Sequence, residues 1–170
     1  MTRQIVHNPF PDKCLQDRID STIMAEPKKT RWYENGLRFK CTQCGNCCTS
    51  RGEHTYLYAM PEDVTAISGY LGMSEEAFLE EHCGEDQGWT IIQSEGSSCT
   101  FLDTEGRCSI YPVRPKQCSS WPFWEENLRK PIWENIVLST CPGSGKGDLH
   151  SADEAERIAQ ENEDWYVRDE

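Results

Sequence analysis

Residues 41–48 read Cys41-Thr42-Gln43-Cys44-Gly45-Asn46-Cys47-Cys48. Three thiols recur at two-residue intervals, a spacing at which one short run of chain wraps a single centre and presents several sulfurs to it. Gly45 permits the tight backbone path this needs, and N–H groups exposed in such a turn offset negative charge on sulfur. Cys48 directly follows Cys47. In an extended run adjacent side chains point apart, so Cys48 is expected to face a second metal, to bridge two, or to stand spare.

Outward from this run, the remaining thiols of the constellation are Cys99, Cys108, Cys118 and Cys141. With Cys41, Cys44, Cys47 and Cys48 they make enough for two four-sulfur sites. Zinc and iron–sulfur clusters both accept four cysteine thiolates, so the ligand set alone leaves both open. Two features favour an iron–sulfur cluster over zinc. The C-x2-C-x2-C run and the Cys141-Pro142 pair both occur in the bacterial ferredoxin pattern, whereas zinc ribbons use two separated C-x2-C knuckles, and no second knuckle exists here.

The chain has 170 residues, ten of them cysteine, with 36% hydrophobic and 27% charged residues. That length suits one domain, and the lean apolar content leaves room for metal binding to contribute to folding. A formal net charge of -12 argues against nucleic acid or an acidic membrane surface as a partner, since both need clustered Lys and Arg. No apolar run reaches the length of a membrane span, and the first residues lack the apolar stretch of a signal peptide. The expected location is therefore cytoplasmic, where thiols stay reduced and metal ligation is the default reading of clustered cysteines.

Three regions are expected: an irregular N-terminal arm over residues 1–30, a cysteine-cluster domain over 31–150, and an acidic C-terminal helix or tail over 151–170. Asn35-Gly36 between residues 31–34 and 37–40 predicts a type I′ hairpin. Pro61 and the spacing of Val64, Ile67, Tyr70 and Leu71 predict a helix ended by Gly72, and Ser74 predicts the cap of a second helix reaching His82. Residues 89–93 read as a strand, 99–111 as a hairpin around a turn at Asp103–Gly106, and 132–139, behind Pro131, as a further strand. Ser151 and Glu154 predict a capping box for the last helix. The predicted fold class is α+β, a small single domain of short strands, hairpins and helices organised around the cysteines.

These residues resemble a known family, the cysteine-cluster proteins described as zinc- or iron-chelating and marked by a CxxCxxCC motif. The likeness runs from Phe39 to Gly147. It takes in residues 41–48, then Cys99-Thr-Phe-Leu102, Cys108-Ser-Ile-Tyr111-Pro-Val-Arg114-Pro115, Cys118 with Trp121-Pro122-Phe123, and Cys141-Pro-Gly143-Ser-Gly145-Lys-Gly147. The resemblance implies a chelating domain with those eight cysteines as metal ligands, and it implies no agreed reaction. Cys14, Cys83, the arm and the acidic tail fall outside the pattern.

Other residues carry weaker signals. His54 and His82 are candidate ligands without a second histidine at ligand spacing. Cys83 reads first as a small buried hydrophobe. Arg114 and Lys116 are expected to balance thiolate charge, and Trp121, Phe123, Trp124 and Trp133 to shield the cluster from water. Gly143-Ser-Gly145-Lys146-Gly147 departs from a phosphate loop at two positions, and reads as a loop letting backbone approach the cluster near Cys141.

Three functions follow. A metal-binding module for electron transfer or metal handling, with a redox or metal-accepting protein partner, ranks ahead of a cluster-dependent oxidoreductase or transferase of unknown substrate. A disulfide-stabilised interaction protein comes third. No catalytic residue is identifiable.

Overall fold

A computed structural model describes residues 31–49 and 57–166. The predicted N-terminal arm, Cys14 and His54 lie outside these residues. The chain opens on a turn over residues 32–35 and enters β1 (Leu37–Phe39), followed by α1 (Asn46–Thr49), β2 (Leu57–Tyr58), α2 (Pro61–Leu71) and α3 (Glu75–His82). Next come β3 (Cys83–Asp86), β4 (Trp89–Ile92), β5 (Ser94–Glu95), β6 (Ser98–Cys99), a 3₁₀ turn (Tyr111–Val113) and α4 (Lys116–Ser120). Beyond a 3₁₀ turn (Glu126–Leu128) lies a continuous helical run of α5 (Lys130–Ile132), a π-helical stretch (Trp133–Val137) and α6 (Leu138–Thr140). β7 (Asp148–His150) and α7 (Ala152–Tyr166) finish the described chain. The fold is α+β, with strands gathered into small antiparallel sheets ordered β1-β7, β2-β4-β3 and β5-β6.

Local chemistry accounts for the helices. Pro61 opens α2, where its missing N–H costs nothing, and Gly72 closes it in the left-handed conformation. The Ser74 side chain accepts from the Ala77 N–H to start α3. In α7 the Glu154 N–H donates to Ser151 Oγ at 3.1 Å. Ala152, Ala155 and Ala159 of α7 are buried, so this acidic helix is a core element as well as a solvated face.

Two expectations are corrected. Residues 31–34 form no strand, and the partner of β1 is β7, with Leu37 opposite His150 and Phe39 opposite Asp148. Tertiary contacts hold residues 31–34 instead. Arg31 pairs with Asp153 and Glu156 of α7, and the Trp32 indole N–H donates to the Leu128 carbonyl at 2.7 Å. Residues 132–139 are helical, with Trp133 and Val137 buried and Ile136 and Leu138 exposed. Pro131 sits in the first turn of α5, where proline belongs, and the four-residue spacing of the buried pair is that of a helix. The predicted turn at Asp103–Gly106 is present: Asp103 Oδ1 accepts from the N–H groups of Glu105 and Arg107 at 2.9 and 2.8 Å. Its flanks pair only through Leu102 and Cys108, and the ladder of Cys99 runs to Ser94.

The interior has two apolar clusters. One collects Leu57, Ile67, Phe78, Ile92, Phe101 and Ile110. The other is built from Leu37, Phe123, Trp133, Val137, Ala155 and Ala159.

Candidate metal centre

The strand β1 delivers the chain to Cys41, and the loop that follows bends through two left-handed residues, Gln43 at φ 54° and Gly45 at φ 72°. A side chain on Gly45 is excluded, because a Cβ there would stand 2.3 Å from the Gly106 carbonyl oxygen. The loop therefore rests directly on the Asp103–Gly106 turn, which places the 41–48 thiols beside Cys99 and Cys108. The Cys48 N–H donates to the Gly45 carbonyl at 2.8 Å, closing the turn into α1.

Cys141 arrives from the other side. Its N–H donates to the Val137 carbonyl at 2.8 Å at the end of the helical run, and Asn46 Nδ2 of α1 donates to the Thr140 carbonyl at 2.8 Å. The glycine loop after Cys141 then lies on the start of the cysteine loop. Lys40 N–H donates to Gly143 O at 3.2 Å and Gly145 N–H to Arg38 O at 2.8 Å, and a Cβ on Gly143 would fall 2.0 Å from the Lys40 oxygen. The close backbone approach of this loop is to residues 38–40; the expected approach to the cluster is not seen, since none of residues 143–147 lines the cavity that the eight cysteines share.

These segments, with Cys118 on α4, enclose a cavity of about 70 Å³. All eight cysteines, Cys41, Cys44, Cys47, Cys48, Cys99, Cys108, Cys118 and Cys141, line it. Cys99 and Cys141 are buried, whereas Cys41, Cys44 and Cys47 are exposed, so one rim of the thiol cavity faces solvent. Sulfurs of Cys47 and Cys48 are 4.0 Å apart. The sequence expectation that these neighbours diverge assumed extended chain; α1 is helical and brings them together. Zn–S bonds of about 2.3 Å in a tetrahedron set sulfurs roughly 3.8 Å apart, so this pair has nearly the spacing of two ligands on one ion. Among the described residues, no three Cys, His, Asp or Glu side chains converge on one ion position.

The surroundings are apolar, with Phe39, Leu57, Phe101 and Ile110 in the wall. Burial pushes the Cys108 thiol up to about 11, with the neighbouring Cys48 and Cys99 raising it further against the opposing pull of a backbone hydrogen bond and Arg114. Among the described residues lining the cavity, Arg114 is the one that is charged. Its guanidinium lies 4.1 Å from the Tyr111 ring centre and donates to the Tyr111 carbonyl at 2.9 Å. Tyr111 itself shares a hydrogen bond with Cys41, which together with burial raises the phenol above its ordinary value. The contact between Tyr111 and Cys41 leaves no mark in the sequence spacing.

Other expected residues lie elsewhere. Lys116 is committed to Glu161 at 3.0 Å and does not line the cavity. His82 packs against the Phe78 and Phe101 rings, and Cys83 is buried in the first apolar cluster; neither reaches the thiol cavity. Of the four aromatics expected to shield the site, Trp121 alone lines it. Phe123 and Trp133 build the second apolar cluster, and Trp124 packs edge-on against Trp121 at 4.9 Å.

A small α+β domain whose thiols face one cavity is a cysteine-cluster chelating domain. The chain belongs to the CxxCxxCC family, described as "Putative zinc- or iron-chelating domain", whose model matches residues 40–142. It is also similar to an uncharacterized protein of Methanocaldococcus jannaschii, at 29% identity over 136 residues, covering 75% of this chain and 70% of that one. No solved structure matches it. No helix among the described residues is long and apolar enough to cross a membrane.

Proposed function

We propose that the chain carries a thiolate-bound iron–sulfur centre, held by Cys41, Cys44, Cys47, Cys48, Cys99, Cys108, Cys118 and Cys141, and that it works in electron transfer or metal handling in a reducing, cytoplasmic setting. The observation that carries this reading is that all eight thiols line one cavity. These residues fit such a group. The donor set is sulfur, the wall is otherwise largely apolar, and the space is several times the roughly 10–15 Å³ that a single water occupies in such a cavity. An iron–sulfur group bound there supplies one-electron chemistry; zinc in the same thiols supplies structure. The C-x2-C-x2-C run over residues 41–47 and the Cys141-Pro142 pair favour an iron–sulfur centre over a lone ion. The exposed rim at Cys41, Cys44 and Cys47 favours exchange of electrons or metal with a redox or metal-accepting protein partner.

Metal and acid-labile sulfide content, measured with the ultraviolet–visible spectrum on anaerobically purified full-length protein, tests the proposal. Iron with matching sulfide and a brown, bleachable absorbance is expected. Zinc without colour would overturn the iron–sulfur assignment and leave a structural or trafficking centre. A metal-free, fully oxidised folded chain would overturn metal binding itself and favour the disulfide-stabilised alternative.

A further inference from the structure

One buried donor at the cavity has no hydrogen-bond partner among the described residues. Trp121 lines the thiol cavity, and its indole Nε1 is buried without a hydrogen-bond partner among the described residues. Buried N–H groups are nearly always paired, and an indole can only donate, so the missing partner is an acceptor. The neighbouring Trp124 indole is served by the Gln117 carbonyl at 3.2 Å and Ser120 Oγ at 3.0 Å. The same helix end thus provides oxygen acceptors for one tryptophan and none for the next. Pro122, which follows Trp121, is fully buried, so the indole stands on fixed backbone. The cavity that Trp121 lines is also lined by eight cysteines. An anionic thiolate centre needs donors beyond its ligands, and among the lining residues the cationic Arg114 is already engaged with Tyr111.

We propose that the Trp121 indole N–H donates a hydrogen bond to a sulfur of the bound centre, a cysteine thiolate or an inorganic sulfide, and so sets its affinity and its redox poise. Trp121 is thereby a positioning residue that acts through sulfur. The inference rests on the proposed metal-binding role of the cavity.

The test uses full-length protein labelled with ¹⁵N-tryptophan, zinc(II) as a diamagnetic probe of the same thiols, and the variant Trp121→Phe, which keeps an aromatic ring and removes the N–H. The indole resonance missing in the variant identifies Trp121. On zinc loading of the wild type that resonance should move downfield and exchange more slowly with solvent, and Trp121→Phe should bind zinc roughly 10-fold more weakly, as loss of an outer-shell partner does. In an iron–sulfur-loaded sample the variant should show a lower reduction potential, because N–H to sulfur bonds favour the more anionic reduced form. Trp124→Phe, which loses bonds to oxygen only, should leave zinc affinity unchanged. An unmoved Trp121 resonance in zinc-loaded protein, or equal affinity in Trp121→Phe, overturns the hydrogen bond and leaves the metal site standing. A wild-type chain that takes up neither zinc nor iron overturns both. If Trp121→Phe does not fold, its resonance is assigned by elimination with the other tryptophan variants, and the wild-type shift decides.

Discussion

Cys83 and Cys108 are both partly or wholly buried thiols whose protons are held to about 11, yet they face different surroundings. Cys108 lines the thiol cavity with Cys48 and Cys99, while Cys83 sits on β3 opposite Ile92 among apolar side chains. For Cys83, burial alone raises the value from the ordinary 9.0. The folded state thus holds a proton that the unfolded chain gives up sooner. The associated stability is intact below about pH 8.5 and is lost as pH climbs towards 11, roughly 2 kcal/mol in all. Urea titrations of wild type and Cys83→Ala at pH 8 and pH 11 should therefore show the wild-type advantage shrinking by about that amount, and a constant difference would show that Cys83 does not titrate with folding. The sequence separated these two cysteines because motif spacing includes Cys108 and omits Cys83. It offered no means of seeing Tyr111 beside Cys41, since a hydrogen bond between residues seventy positions apart is made by folding and not by spacing.

At the scale of elements, what was legible followed rules that act within a few residues. Pro61, Gly72, Ser74 and Ser151 mark helix ends through local geometry and capping, and they mark them correctly. The predicted hairpin at Asn35-Gly36 failed where long-range contacts won. Arg31 and Trp32 are held by α7 and by the Leu128 carbonyl, which leaves β1 for β7. Residues 132–139 carried β-branched residues and a leading proline, both readable as strand, and the burial of Trp133 and Val137 in the second apolar cluster decided for helix. The join between the glycine loop and β1 is the element contact on which Cys141 depends. Gly143→Ala pushes a methyl into the Lys40 backbone oxygen, where no side chain can yield, and should cost about 1–3 kcal/mol as overpacking does. Gly145→Ala meets nothing closer than Leu138 Cδ2 at 4.0 Å and suffers the left-handed conformation alone, roughly 1–2 kcal/mol. Equilibrium unfolding in urea reads both stabilities. Metal content should fall in Gly143→Ala and hold in Gly145→Ala, and the reverse order would disprove the role given to this join.

Over the whole molecule, the thiols come from four stretches of chain, 41–48, 99–108, α4 and Cys141, separated by up to a hundred residues. A centre that binds all four in the folded state and none of them in order in the unfolded one adds its binding free energy to folding. Removal of metal by a strong chelator under anaerobic conditions is expected to lower the thermal midpoint by about 6–12 °C, taking a loss of about 3 kcal/mol over a domain of this size. Readdition of the metal should restore the midpoint, and a midpoint indifferent to chelation would mean that the two apolar clusters hold the fold unaided. Because thiols must shed protons to bind metal, and Cys108 holds its proton to about 11, loading is expected to release protons and tighten as pH rises.

The antiparallel pair β1 and β7 fixes where the cysteine segment begins and ends in space. Phe39 stands opposite Asp148, so the chain leaves for the cysteine segment and returns from it at neighbouring points, roughly 5 Å apart across a strand pair. The strand pair thus acts as a hem around residues 40–147, drawing both ends of the cysteine segment to one place, while Leu37 and α7 outside it complete the second apolar cluster.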